Sequence, residues 1–121
     1  MKTILIVDDH SDIRLLLRVT LGKTYNLLEA ADGPTGLRIV REKKPDLVVL
    51  DVTMPGELDG LGVLDAIKSD PQLATVKVIM LSARGQARDY DMAIRRGADE
   101  YIIKPFSPMQ LFNSIETLIA I

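Results

Sequence analysis

Four short apolar runs in this chain each end at a residue suited to phosphate or metal chemistry. The runs span 4–7, 47–50, 76–81 and 101–103, and the residues that follow them are Asp8 with Asp9, Asp51, Ser82 and Lys104. Runs of this length, rich in Val, Ile and Leu, are typical of parallel strands buried on both faces. Parallel strands deliver their carboxyl ends to one edge, where open α/β sheets bind ligands. The pattern therefore predicts an α/β fold with reactive side chains gathered along that edge.

The rest of the chain completes an alternation of strands and helices. We expect strands near 3–8, 25–29, 46–51, 76–82 and 99–103, and helices near 11–21, 34–44, 60–69, 86–96 and 108–120. Such alternation implies right-handed crossovers and a doubly wound, five-stranded parallel sheet with five helices. The order of the strands does not follow from alternation alone.

Two features of the first helix give more detailed expectations. Leu15, Leu16 and Val19 supply an apolar stripe, which in a surface helix faces the core. Gly22 follows the helix at the position where a left-handed residue often ends one.

Bulk properties narrow the possible functions. A chain of 121 residues with 47% hydrophobic content is expected to form a single domain over 1–121. A net charge of -2 provides no broad attraction to nucleic acid or membrane, so direct binding to either is not expected. The chain has no cysteine and only one histidine, His10, which leaves oxygen ligands as the main metal donors. The apolar run after Lys2 is too short for a signal peptide or membrane span, so we expect a cytoplasmic location.

The strand-end residues form a chemically coherent set. Three carboxylates at close range repel one another unless a divalent cation holds them ionised, and Mg²⁺ suits such a site. With the charge neutralised, Asp51 is the candidate nucleophile that attacks phosphorus and becomes an acyl phosphate. Ser82 and Lys104 can then donate to other phosphoryl oxygens.

The same residues lie within recognisable motifs. The motifs are Val7-Asp8-Asp9, Asp51-Val52-Thr53-Met54-Pro55, Ser82-Ala83 and Lys104-Pro105-Phe106. Together they resemble the response-regulator receiver domain of two-component signalling, over essentially the whole chain. The resemblance implies the flavodoxin-like strand order 2-1-3-4-5, with Asp51 as the phosphorylated residue.

The resemblance also implies specific roles for other residues. Asp9 would bind Mg²⁺ directly, Asp8 would act mainly through water, and the Thr53 carbonyl would complete the metal shell together with Asp51. The bond between Lys104 and Pro105 would be cis. Ser82 and Tyr101 would be the switch residues, and Thr53 and Arg84 would flank the approach of the hydrolytic water.

Partners follow from the same resemblance. The phosphoryl donor would be a sensor histidine kinase or a His-phosphotransfer protein. The output would be a downstream protein or a covalently linked domain, contacted through the fourth helix, fifth strand and fifth helix. The resemblance also implies that the chain would catalyse its own Mg²⁺-dependent phosphorylation and dephosphorylation without being a true turnover enzyme.

Some features depart from the family pattern or have a plain structural explanation. The loop 56–59 is one residue longer than in most receivers, which predicts a reshaped rim around an intact site. The last helix has a wide apolar stripe and one charge, Glu116, which favours a hydrophobic partner contact or a continuation past Ile121 over a salt-bridged dimer. We expect His10 to be a surface residue at the site rim rather than a ligand.

Three other functions remain as alternatives. A phosphohydrolase of the haloacid-dehalogenase type uses a strand-end aspartate but requires a second one two residues later, where Thr53 stands. A dinucleotide-binding enzyme is disfavoured because no glycine-rich turn follows the first strand. An interaction module that retains the fold without phosphorylation is disfavoured by the complete set of site residues.

Overall fold

Strands and helices alternate through the chain, as the spacing of apolar runs predicts. A computed structural model describes residues 1–83, 85 and 87–119. The strands are β1 (Thr3–Val7), β2 (Asn26–Ala30), β3 (Leu47–Asp51), β4 (Lys77–Ser82) and β5 (Glu100–Ile103). The helices are α1 (Ser11–Leu21), α2 (Gly33–Lys43), α3 (Gly60–Ser69), α4 (Ala87–Arg95) and α5 (Pro108–Ile119). A short 3₁₀ turn, Pro71–Leu73, lies between α3 and β4 and was not predicted.

The five strands form one parallel sheet in the order β2-β1-β3-β4-β5. This confirms the predicted fold class and the order that the resemblance implies. The order makes β1 and β3 neighbours, with Val7 opposite Leu50. The residues that follow β1 therefore lie beside the end of β3.

Both faces of the sheet are covered by helices. Consecutive strand residues point to opposite faces, so each strand contributes side chains to two core clusters. Leu5 and Val7 pack in one core cluster with residues of α2, α3 and α4. Ile4 and Ile6 pack in the other cluster with residues of α1 and α5. This two-sided burial explains why the strands are almost continuously apolar.

The expected apolar stripe of α1 is wrong. Leu15, Leu16 and Val19 are exposed, and the residues buried against the sheet are Leu17 and Leu21. The helix has two sets of apolar residues with spacing i, i+4, and the docking of α1 on the sheet determines which set is inside.

The expected conformation of Gly22 is also wrong. Gly22 has φ -66° and is right-handed, with its N–H donating to the Arg18 carbonyl. The left-handed cap occurs instead at Lys44, which follows α2 with φ 46°.

The apolar stripe of α5 packs on the chain itself. Leu111, Ile115 and Ile119 are buried, while Phe112 and Leu118 pack against the same core cluster. This burial removes the reason for expecting a hydrophobic partner contact along that stripe. Within the described ranges, no helix has the length and apolar character needed to cross a membrane.

Two glycines allow the loop after β3 to approach its neighbours closely. A Cβ on Gly60 would lie 1.9 Å from the Asp51 carbonyl oxygen, and the Gly60 N–H donates to the Val52 carbonyl. A Cβ on Gly33, at the start of α2, would lie 2.1 Å from the Leu58 carbonyl oxygen. The longer loop thus contacts α2 on one side and the end of β3 on the other.

Candidate functional site

Three carboxylates meet at the carboxyl edge of the sheet. Asp8 and Asp9 directly follow β1, and Asp51 is the last residue of β3. Asp8 is 1% exposed and Asp51 is 3% exposed, whereas Asp9 is partly exposed. Burial of two neighbouring carboxylates is unfavourable unless cationic or hydrogen-bonding groups compensate them.

Lys104 supplies part of that compensation from the end of β5. Its Nζ lies 3.2 Å from Asp8 Oδ2 and 3.5 Å from Asp51 Oδ1. The backbone N–H of Lys104 donates to the Ser82 carbonyl at 2.7 Å, which positions the lysine beside the end of β4. Ser82 itself is buried, with 1% of its surface exposed. The Lys104–Pro105 peptide bond is cis, as the resemblance implies.

His10 extends further into the site than predicted. Its Nδ1 lies 2.9 Å from Asp8 Oδ1, 3.3 Å from Asp9 Oδ1 and 3.8 Å from Asp51 Oδ2. The side chain is 57% exposed, so the rim location is correct, but its inner nitrogen lies among the carboxylates. Its position directly after Asp9, at the same sheet edge, was the sequence signal for this arrangement.

The remaining predicted residues surround this centre. The Thr53 N–H donates to Asp51 Oδ1 at 3.3 Å, and Thr53 lines the cavity above the carboxylates. Tyr101 is 7% exposed and packs edge-on against Tyr90 of α4, with ring centroids 5.8 Å apart. Arg84 lies outside the described residues.

The electrostatic environment changes the proton affinity of two groups. Burial, followed by the charge of Asp8, raises the pKa of Asp51 from 3.8 to about 6. The pKa of His10 is raised above 6.5 by the hydrogen bond from the His10 ring to Asp8, and further by the charges of Asp9 and Asp8. The raised pKa of His10 reflects the negative charge of the site, whereas the raised pKa of Asp51 reflects its burial first and the charge of Asp8 second.

The donor set suits a divalent cation. Asp8, Asp9, His10 and Asp51 each offer a ligand atom, and these atoms lie within 4.8 Å of one another. Asp9 Oδ1 and Asp51 Oδ2 are buried and accept no hydrogen bond from any described residue. Carboxylate oxygens left without donors at the mouth of a cavity fit an oxygen-binding ion such as Mg²⁺.

An open cavity of about 420 Å³ leads to these groups. Its lining is formed by His10, Asp12, Ile13, Asp51, Thr53, Ala83 and Lys104. A phosphoryl-sized group can therefore reach Asp51 from solvent.

Comparison with protein families gives a clear assignment. Residues 4–116 match the family described as the response regulator receiver domain. The chain belongs to this family. Receiver domains of this kind are components of two-component systems, and response regulators are generally not true enzymes.

Individual relatives agree with the assignment. The chain is 41% identical to the probable transcriptional regulator ycf27 of Cyanophora paradoxa, over 98% of this chain and 48% of the relative. It is 36% identical to the phosphate regulon transcriptional regulatory protein PhoB of Pseudomonas aeruginosa, over 98% of this chain and 52% of the relative. The chain thus spans about half the length of these curated relatives.

The fold also matches solved structures. The chemotaxis protein CheY4 of Vibrio cholerae aligns with a TM-score of 0.90 and 27% identity, covering 98% of this chain and 99% of that chain. The shared architecture extends over nearly the full length of both chains.

Proposed function

We propose that this receiver accepts a phosphoryl group on Asp51 and uses the modification to control a protein contact. The observation that carries the proposal is the buried Oδ2 of Asp51, which accepts no hydrogen bond from the described residues and lies beside an open cavity. Lys104 and the paired aspartates surround that carboxylate. The arrangement provides a nucleophile, a compensating ammonium group and space for a phosphoryl donor.

The reaction is a transfer between two nucleophiles. An Asp51 carboxylate oxygen attacks phosphorus, an O–P bond forms, and the N–P bond to the histidine of the donor breaks. The leaving imidazole takes up a proton. Lys104 and Ser82, at the neighbouring strand ends, donate to the phosphoryl oxygens and stabilise the charge on them.

Mg²⁺ belongs to this proposal as the resident ion. Asp9 and Asp51 would hold it directly through their carboxylates, the Thr53 carbonyl would be a further ligand, and Asp8 would act through water. Asp8 already has donors at both oxygens, from His10 and Lys104, which supports its indirect role. When bound, the ion neutralises carboxylate and phosphoryl charge.

The phosphoryl donor in this proposal is a sensor histidine kinase or a His-phosphotransfer protein, and a cytoplasmic location follows from such a donor. The output is a downstream protein or a linked domain, contacted through α4, β5 and α5. Exposed apolar side chains on these elements support this surface, and they are Tyr90, Met92, Ile94, Ile103 and Met109. The named transcriptional regulators among its relatives are consistent with such an output.

Acetyl phosphate with Mg²⁺ tests the phosphorylation step. We expect a single acid-stable but hydroxylamine-sensitive adduct on Asp51 by mass spectrometry, and no adduct in the nearly isosteric variant Asp51→Asn. Continuous release of phosphate without a detectable adduct would favour a hydrolase. Absence of both adduct and turnover would favour an interaction module that does not use phosphorylation.

The switch requires a second experiment. Ser82 is buried at the end of β4 and Tyr101 lies in β5, with Met80 as its partner residue in the register. The Tyr101 ring is already buried in this structure, so the proposal is that phosphorylation stabilises this inward position. We expect Ser82→Ala to be phosphorylated but to show a smaller change in partner affinity between its two forms. Equal coupling in Ser82→Ala and wild type would contradict this scheme.

A further inference from the structure

His10 occupies an unusual position for a half-exposed histidine. Its Nδ1 has three carboxylate oxygens within 3.8 Å, one from each aspartate of the site. First-row divalent ions bind oxygen and nitrogen at about 2.0 to 2.2 Å, so two donors on one ion are about 3 Å apart when adjacent and about 4 Å when opposite. The separations of 3.3 Å from Asp9 Oδ1 and 3.8 Å from Asp51 Oδ2 fall within that interval.

We propose that His10 Nδ1 is a direct ligand of the cation bound by Asp9 and Asp51, so that this receiver has a mixed nitrogen and oxygen metal site. The inference rests on the proposed function, which places a divalent ion among the same carboxylates. It assigns to His10 a role in selecting which ion binds.

The backbone around His10 permits this role. The His10 N–H donates to Asp8 Oδ1 at 2.9 Å, independently of the ring. Asp8 Oδ1 therefore keeps a donor when the imidazole turns its lone pair to a metal. His10 precedes α1 as its N-cap residue but makes no side-chain capping bond, so its ring is available for ligation.

Two buried oxygens supply the independent reason for placing an ion here. Asp9 Oδ1 and Asp51 Oδ2 accept no hydrogen bond within the described part of the chain. These are the oxygens that lie 3.3 and 3.8 Å from His10 Nδ1. A cation between the His10 ring and these two carboxylates would coordinate Asp9 Oδ1 and Asp51 Oδ2 together.

The consequence is a change in metal preference. Carboxylate, carbonyl and water ligands suit Mg²⁺, whereas imidazole suits later first-row ions. A site with His10 as a ligand therefore binds Co²⁺ more tightly, relative to Mg²⁺, than a site with oxygen ligands alone.

Co²⁺ is a suitable probe because the chain has one histidine and no cysteine. Tag-free protein is titrated with Co²⁺ while proton NMR is recorded, and a ligated imidazole gives strongly shifted, non-exchangeable ring C–H signals, which are assigned to His10 by their absence in His10→Ala. Calorimetry then gives the affinities of Co²⁺ and Mg²⁺ for wild type and His10→Ala. Asp12→Ala is the matched control, since it removes an exposed charge from the same cavity wall without removing one of the clustered donors.

We expect Co²⁺ affinity to fall about tenfold or more in His10→Ala, and Mg²⁺ affinity to fall less than about threefold. In Asp12→Ala, both affinities should change by the same factor. Equal losses for the two ions in His10→Ala, or no shifted ring C–H signal in wild type, would overturn the assignment of His10. In that case a normal Asp51 adduct with Mg²⁺ would leave the proposed function intact, whereas failure of wild type to bind either ion would overturn both proposals.

Discussion

Replacing Asp51 by Asn should stabilise the metal-free protein. The pKa of Asp51 is about 6 in the folded chain, compared with an ordinary value of 3.8, because the carboxyl is buried beside Asp8. A raised pKa means that the folded state holds this proton more tightly than the unfolded state does. The ionised carboxylate therefore destabilises the fold, fully above pH 6 and less as the pH falls towards 3.8.

The size of the effect follows from the shift. A difference of about two pKa units corresponds to about 3 kcal/mol at neutral pH. The pKa of about 6 already includes the attraction of Lys104, whose Nζ is 3.5 Å from the carboxylate, but Asn also buries an amide group that needs hydrogen-bond partners of its own. We therefore expect a net stabilisation of about 1 to 3 kcal/mol, which raises Tm by about 4 °C for each kcal/mol in a domain of this size.

Urea denaturation with EDTA, followed by circular dichroism because the chain has no tryptophan, measures this difference. Wild type and Asp51→Asn are compared at about pH 7.5 and about pH 4. Because most other titrations are common to both proteins, the difference between them isolates residue 51. The reasoning is refuted if Asp51→Asn is no more stable than wild type at the higher pH. It is also refuted if the difference in unfolding free energy between the two proteins is the same at both pH values.

Three further outcomes can be checked by the same denaturation assay. Gly60→Ala should lose about 3 kcal/mol or more of unfolding free energy, because its Cβ would overlap the carbonyl at the end of β3. Gly85→Ala is the control, and its stability should change by less than about 0.5 kcal/mol because the nearest atom to the added Cβ is 3.6 Å away. Similar losses in the two variants would contradict the overlap argument. Asp99→Ala should lower the unfolding free energy by about 1 to 3 kcal/mol, because Asp99 Oδ2 accepts hydrogen bonds from a lysine ammonium and from a β4 N–H. Asp65→Ala removes an exposed ion pair with an arginine and should lower it by less than about 1 kcal/mol. Mg²⁺ at a hundredfold excess over its Kd should stabilise wild type by about 2.7 kcal/mol, and Asp9→Ala should lose most of this gain; equal gains would place the ion elsewhere.

The sheet and most of the site were predictable because both depend on the ends of strands. Buried parallel strands are continuously apolar, so the polar residue that ends each run marks the functional edge without any knowledge of tertiary contacts. The strand order needed the family resemblance, since alternation alone permits several orders.

Features that depend on how elements dock were not predictable in this way. In α1, Leu15 and Leu17 lie in two equally plausible apolar rows, and packing against the sheet selects the second. His10 was placed at the rim correctly, but its ring direction depends on the three carboxylates that tertiary structure brings around it.

The contact between Gly33 and the Leu58 carbonyl has a consequence for how this protein can vary. The loop after β3 rests directly on the start of α2, with no room for a methyl group between the Leu58 carbonyl and Gly33. A homologue with a shorter loop would release that constraint and tolerate a larger residue at position 33. Loop length and the identity of residue 33 should therefore change together during evolution, although the two positions lie far apart along the chain.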